Sequence, residues 1–156
     1  MLQKCMILLL IIISSSLPVF AQSGMYEVAD GTITVQSDAP HELIYASSDE
    51  LRGILDMQRK LFVFKINISS FTGFNSPLQR EHFNEKYMET TFYQEEIFTG
   101  KVIEDADLSK DGAYNIRAKG KLKIHGIEQE RIIKVHVVTK NKKLTATSDF
   151  IVLLAD

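Results

Sequence analysis

The longest regular pattern in the chain runs from Tyr114 to Ile124, where apolar or small residues alternate with polar ones without a break. Tyr114, Ile116, Ala118, Gly120, Leu122 and Ile124 fall on one side, and Asn115, Arg117, Lys119, Lys121 and Lys123 on the other. Successive side chains in a strand point to opposite faces, so this stretch predicts a strand with one dry and one wet face. A long strand of that kind belongs in an antiparallel sheet or a closed barrel. The apolar interior of such a barrel is either a packed core or a container.

Shorter runs recur along the chain with turn signals between them, which is the rhythm of an all-β fold. Ile33 and Val35 alternate with Thr32, Thr34 and Gln36, and a turn at Asp38-Ala39-Pro40 leads to 41–47, where Leu43 and Tyr45 share a face. Residues 51–57 predict a separate third strand, with Gly53 as a weak point or bulge. In 61–68, Phe62, Phe64, Ile66 and Ile68 share a face, and Phe71 and Phe74 follow. This group is either ordinary core or the lining of an apolar site. Residues 97–104 alternate through Phe98, Gly100 and Val102, and 130–140 through Ile133, Val135 and Val137. The strands on either side of His125-Gly126 predict an antiparallel hairpin. Residues 143–154 supply the last strand.

One segment, 76–88, departs from this rhythm. Ser76 suits a helix N-cap, Pro77 the first helical position, and Gln79 completes a capping box. Phe83 and Tyr87, four apart, would share one face of a short helix over 77–88, while Glu81, Glu85 and Glu89 would share another. Such a helix would pack across the end of a barrel as a plug or a lid.

The N-terminus adds an address. Lys4, the apolar run from Met6 to Ile13 and Val19-Phe20-Ala21 form the pattern of a secretory signal peptide over 1–21, cleaved near Ala21. The apolar run is shorter than the roughly 20 residues that a membrane span needs, so no transmembrane span is expected in the mature chain. A single domain over 22–156 would then be exported, to the periplasm or beyond. Cys5 is the only cysteine, so the mature chain has no disulfide or thiol chemistry. Without Lys4, 17 Lys and Arg face 20 Asp and Glu, a weakly acidic balance that gives no attraction for nucleic acid. Lys119, Lys121 and Lys123 read as the solvated face of a strand.

Candidate chemistry is sparse. His41, His82, His125 and His136 have no second histidine at metal-ligand spacing. No nucleophile elbow, phosphate loop or H-E-x-x-H motif occurs. No metal, cofactor or catalytic residue is therefore expected. An enzyme acting on an apolar substrate would need His82 or Glu85 to point inward with shifted acidity.

Two blocks carry a resemblance. FVFKINISSFTGFNSPLQREHFNEKYMET (62–90), followed by Phe98-x-Gly100, and GKLKIHGIEQERIIKVHVV (120–138) resemble the YceI-like proteins, a polyisoprenoid-binding, lipocalin-like family. The resemblance implies an antiparallel lipocalin-like β-barrel of about eight strands with one short helix. It also implies an exported protein, with a polyisoprenoid, quinone-like or fatty chain held in the lumen. The family pattern continues past the strand at 149–154, so the resemblance implies either a barrel closed differently or one left incomplete at its C-terminal edge. Candidate lining residues are Phe62, Phe64, Ile66, Phe71, Phe74, Phe83, Tyr87, Phe98, Val102, Tyr114, Ile116 and Leu122. The apolar lipid is the expected partner, and the protein would act as a monomer or homodimer. The alternative is an envelope stress or interaction protein whose filled barrel acts through its surface.

Overall fold

The computed structural model describes residues 24–28, 30–39 and 42–152, so the expected leader, His41 and the last four residues lie outside it. Eight strands form one antiparallel sheet. They are β1 Met25–Glu27, β2 Gly31–Ala39, β3 Glu42–Asp56, β4 Leu61–Asn67, β5 Glu95–Val102, β6 Gly112–Ile124, β7 Ile127–Lys140 and β8 Lys143–Thr147. Neighbours follow the order β1-β3-β4-β5-β6-β7-β8, and β2 also pairs with β3. The sheet curls into a nearly closed barrel, all-β apart from one short helix, α1 (Pro77–His82). β2 and β8 flank the seam, and among the described residues no strand ladder crosses it. Lys143 Nζ lies 3.7 Å from Asp30 Oδ2 across that gap.

The hairpin expected around His125-Gly126 is the longest ladder, running from Ile124 opposite Ile127 to Gly112 opposite Thr139. Its wet faces carry the basic stripe, where Lys119 pairs with Glu130 and Lys121 with Glu128 at 3.1 and 2.7 Å. Exposed pairs of this kind contribute little stability.

The two strands expected within 41–57 are one strand, β3, 15 residues long. Its polar middle does not break it because β2 pairs with it: Thr34 lies opposite Ser47 and Ile33 opposite Ser48. The bulge lies not at Gly53 but where Gly31 and Ile33 of β2 face Leu51 and Ser48, leaving an extra residue at 49–50 of β3. An inserted residue reverses the side-chain alternation. Ile44, Ala46 and Ser48 point inward before it, and Leu51, Gly53 and Leu55 after it; Leu43 and Tyr45 share the outer face. Gly53 instead makes room for an aromatic ring, since a Cβ there would stand 2.2 Å from Phe64 Cδ1.

Gly100 and Gly120 face each other across β5 and β6. A Cβ on either would stand 2.1 Å from a carbonyl oxygen of the other strand. These glycines allow the two backbones to approach closely where the sheet bends, a device found in curved sheets.

After β4 the chain makes a 3₁₀ turn (Ile68–Ser70) and runs beside the free edge of β3, exchanging backbone hydrogen bonds between Thr72 and Ser47. Ser76 Oγ accepts from the Gln79 N–H at 3.1 Å, as a capping box requires. The reciprocal bond differs: Gln79 Oε1 accepts from the Asn75 N–H, one residue before the cap, and its Nε2 donates to Leu43 O at 3.1 Å. The expected helix to residue 88 ends early, because Phe83–Tyr87 form a π turn closed by the Met88 N–H to Phe83 O bond of 2.9 Å. A five-residue turn places Met88, not Tyr87, on the same face as Phe83.

The last strand stops at Thr147, and of the run expected over 143–154 the described residues 148–152 are not strand. Beyond it the Ser148 hydroxyl donates to Lys134 O at 2.7 Å, taking the acceptor that a strand N–H would use, and Ile151 is 85 % exposed.

Candidate ligand lumen

Opposed residues in an antiparallel ladder project from the same face. Phe62 lies opposite Gly100, Phe64 opposite Phe98 and Ile66 opposite Glu96. Phe98 faces Leu122 and Val102 faces Ala118. Leu122, Ile116 and Tyr114 then face Gln129, Val135 and Val137. Burial of Phe62, Ile66, Val102, Ile116, Leu122 and Val137 identifies this face as the interior. Register therefore brings Phe62, Phe64, Ile66, Phe98, Val102, Tyr114, Ile116 and Leu122 to one inner wall. Phe71, Phe74 and Phe83 come from the segment after β4, with the Phe74 and Phe83 rings 5.1 Å apart. Tyr87 is excluded by the π turn: it is 47 % exposed, and Met88 takes the buried place at 6 %.

Two buried clusters close the barrel ends. Ile44, Ala46, Ile66, Ile68, Phe71, Phe83 and Met88 form the plug beneath the helix. Val102, Leu108, Ile116 and Val137 form the other, with Leu108 supplied by the β5–β6 connection and its carbonyl accepting from Thr139 Oγ1 at 2.7 Å. Between them Phe62, Ala118, Leu122 and Ile133 are buried but belong to neither cluster. The Phe62 ring packs 5.7 Å from Phe64 and 4.8 Å from Phe98. Phe64, Phe98, Ile33, Val35, Tyr114 and Val135 face inward yet are only half-buried. Ile33 and Val35 pack against the plug and Tyr114 and Val135 against the other cluster, while Phe64 and Phe98 belong to neither.

Polar groups also reach inward, and reading the strands one at a time missed them. Arg131 and Gln129 continue the inner face of Ile133, Val135 and Val137, and Arg131 Nη2 donates to Gln129 Oε1. The alternation of β7, extended by two more pairs, is the signal that finds them. Glu96 is 8 % exposed because it opposes Ile66.

At the plugged end Glu96 Oε1 accepts from the His125 N–H at 3.1 Å, while Oε2 has no hydrogen-bond partner among the described residues. Burial raises its carboxyl above the ordinary 4.5, against the opposing pull of the His125 amide and the His125 and Lys123 charges. His125 Nε2 lies 2.7 Å from Glu89 Oε2, and the Tyr93 ring lies 4.5 Å from the imidazole. This strap ties the segment after the helix to the β6–β7 turn, and it takes Glu89 away from the face expected with Glu81 and Glu85.

Glu85 is exposed, His82 half-buried, and His136 Nδ1 meets Asn115 Oδ1 at 2.9 Å on the outer surface. Among the described residues no group of three or more His, Cys, Asp or Glu is placed to hold a metal, and no helix is long and apolar enough to cross a membrane.

No protein-family model and no curated protein matches the chain. Solved structures do. A polyisoprenoid-binding domain from Saccharophagus degradans, implicated in plant cell wall breakdown, aligns over 73 % of this chain and 63 % of its own at 14 % identity and TM-score 0.53. BcnA of Burkholderia cenocepacia aligns over 75 % and 72 % at 15 % identity and TM-score 0.54. The chain thus spans less than two thirds of the Saccharophagus domain. These likenesses establish a shared fold, and it is the fold implied by the sequence resemblance to YceI-like proteins.

Proposed function

We propose that this chain is an exported, non-catalytic carrier that holds an isoprenoid, quinone-like or fatty chain inside its barrel. The observation that carries the reading is the inner wall itself: Phe64, Phe98, Ile33, Val35, Tyr114 and Val135 point inward and remain half-buried. An apolar surface of this kind, only partly covered by the protein's own side chains, gains by taking up an apolar chain. Each buried methylene contributes about 0.8 kcal/mol, against an association cost of roughly 4–15 kcal/mol. Only a long chain leaves a surplus, so affinity rises with chain length. The signal-peptide pattern over 1–21 supports export, and the polyisoprenoid-binding description of one structural neighbour supports the ligand class. Holding such a chain needs lining and no reacting group.

Titration of residues 22–156 with the neutral fluorophore N-phenylnaphthylamine tests the reading. Saturable uptake displaced by long-chain alcohols is expected. Phe98→Asn, which puts an amide in the lining, weakens uptake at least about tenfold. Thr99→Asn on the outer face leaves it unchanged. A folded protein without uptake, or equal uptake by both variants, contradicts the reading.

A further inference from the structure

We propose that the lumen selects chains with an anionic head, a carboxylate or phosphate ester, and that Arg131 with Gln129 holds it; this rests on the carrier reading above. Three observations lead there. First, register runs Phe62, Gly100, Gly120, Arg131 across four strands, so Arg131 stands on the inner face. Two consecutive positions of that row are glycines, so along it no side chain of β5 or β6 stands between Phe62 and Arg131.

Second, among the described residues no carboxylate pairs with the cation, and its side-chain hydrogen bond there is to Gln129 Oε1. Neighbouring Glu128 and Glu130 lie on the opposite face and pair with Lys121 and Lys119. A partly buried cation among apolar walls calls for a counter-charge.

Third, the pair offers mainly donors. Gln129 spends its carbonyl oxygen on Arg131, so its amide NH₂ points the same chemistry at a ligand as the guanidinium fork does. A fork of N–H groups matches carboxylate and phosphate oxygens in a two-bond geometry, and it gives nothing comparable to a neutral alcohol. The site also stands beside the seam: the β7–β8 ladder covers only His136–Lys140, so the edge of β7 near Arg131 is not covered by β8. A polar head can sit there while its tail lies along Phe62, Phe64 and Phe98.

The test is displacement of N-phenylnaphthylamine from residues 22–156 by four probes of matched length: palmitate, hexadecanol, farnesyl phosphate and farnesol. Charge-assisted hydrogen bonds are strong enough that each acid should outcompete its alcohol by about 10–100-fold. In Arg131→Gln that ratio falls towards one. Arg131→Lys restores part of it, since the charge survives and the fork does not. Preference for palmitate alone or farnesyl phosphate alone identifies the head.

Equal displacement by acid and alcohol in the native protein overturns this proposal and leaves the carrier reading standing. So does an acid preference that survives Arg131→Gln in a variant with native melting behaviour. If the reporter never binds, the carrier reading fails and this proposal fails with it.

Discussion

Alanine at Gly120 would place its methyl carbon 2.1 Å from Thr99 O and 2.9 Å from Gly100 Cα, and alanine at Gly100 would place it 2.1 Å from Lys119 O. Ordinary contact begins near 3.4 Å, so the strands must separate by about 1.3 Å. The obstacle is backbone, held by the β5–β6 ladder from Ile97–Lys123 to Val102–Ala118. It cannot rotate away as a side chain would. Overpacking of this sort costs about 1–3 kcal/mol, and an immovable neighbour puts it at the upper end, roughly 2–3 kcal/mol. For a domain of this size about 1 kcal/mol moves Tm by roughly 3–5 °C, so each variant should melt roughly 6–15 °C below the native protein. Thermal unfolding followed by far-UV circular dichroism reads this directly. Gly112→Ala is the control, because its new methyl meets only the end of the Tyr114 side chain, 3.2 Å away. It should cost under about 1 kcal/mol. The double variant should lose less than the sum, since the two methyls relieve each other by moving the same strands apart. A Gly120→Ala protein that melts with the native one, or a Gly112→Ala protein that is equally damaged, refutes the close-approach argument.

Three further outcomes follow from the same geometry. Met88→Ala should cost about 2–5 kcal/mol and Tyr87→Ala under about 1 kcal/mol in urea unfolding; the reverse order would mean a regular helix there rather than a π turn. Gln79→Ala removes the bonds to the Asn75 N–H and Leu43 O, costing about 1–3 kcal/mol and speeding proteolysis within 75–92; unchanged stability and cleavage would dismiss its role as the tie between helix and β3. Glu96 has a folded value raised above 4.5, so its charge destabilises the fold at neutral pH and that penalty fades as pH falls through the raised value towards 4.5. Glu96→Gln should therefore melt higher than the native protein near neutral pH, with the gap closing in acid, and a gap that is constant across pH contradicts the assignment.

Much of the fold is legible in residues whose local pattern and long-range pairing agree. β6 alternates over eleven residues and β7 through Ile133, Val135 and Val137, so the inner positions of these stretches and the hairpin between them follow from the sequence. Ser76, Pro77 and Gln79 mark the helix start for local reasons, and local reasons persist in the fold. What fails to show are features decided across strands. The β3 bulge reverses alternation in mid-strand, so Leu43 and Leu51 have the same parity but opposite faces. The π turn depends on packing Phe83 and Met88 together, and a spacing rule of four selects Tyr87 instead. Glu96 reads as a wet residue beside Glu95 until its partner Ile66 is known. Arg131 hides for the same reason: a charged residue in an alternating strand looks like the wet face unless the count starts from Val137.

The central claim is that the inner wall holds an apolar chain, and native mass spectrometry of residues 22–156 secreted by an exporting host tests it most directly, with solvent extraction of whatever is bound. The account predicts one stoichiometric adduct that leaves on extraction as a long isoprenoid or acyl chain. A folded protein that carries no adduct, and takes up none when incubated with such lipids, would contradict it.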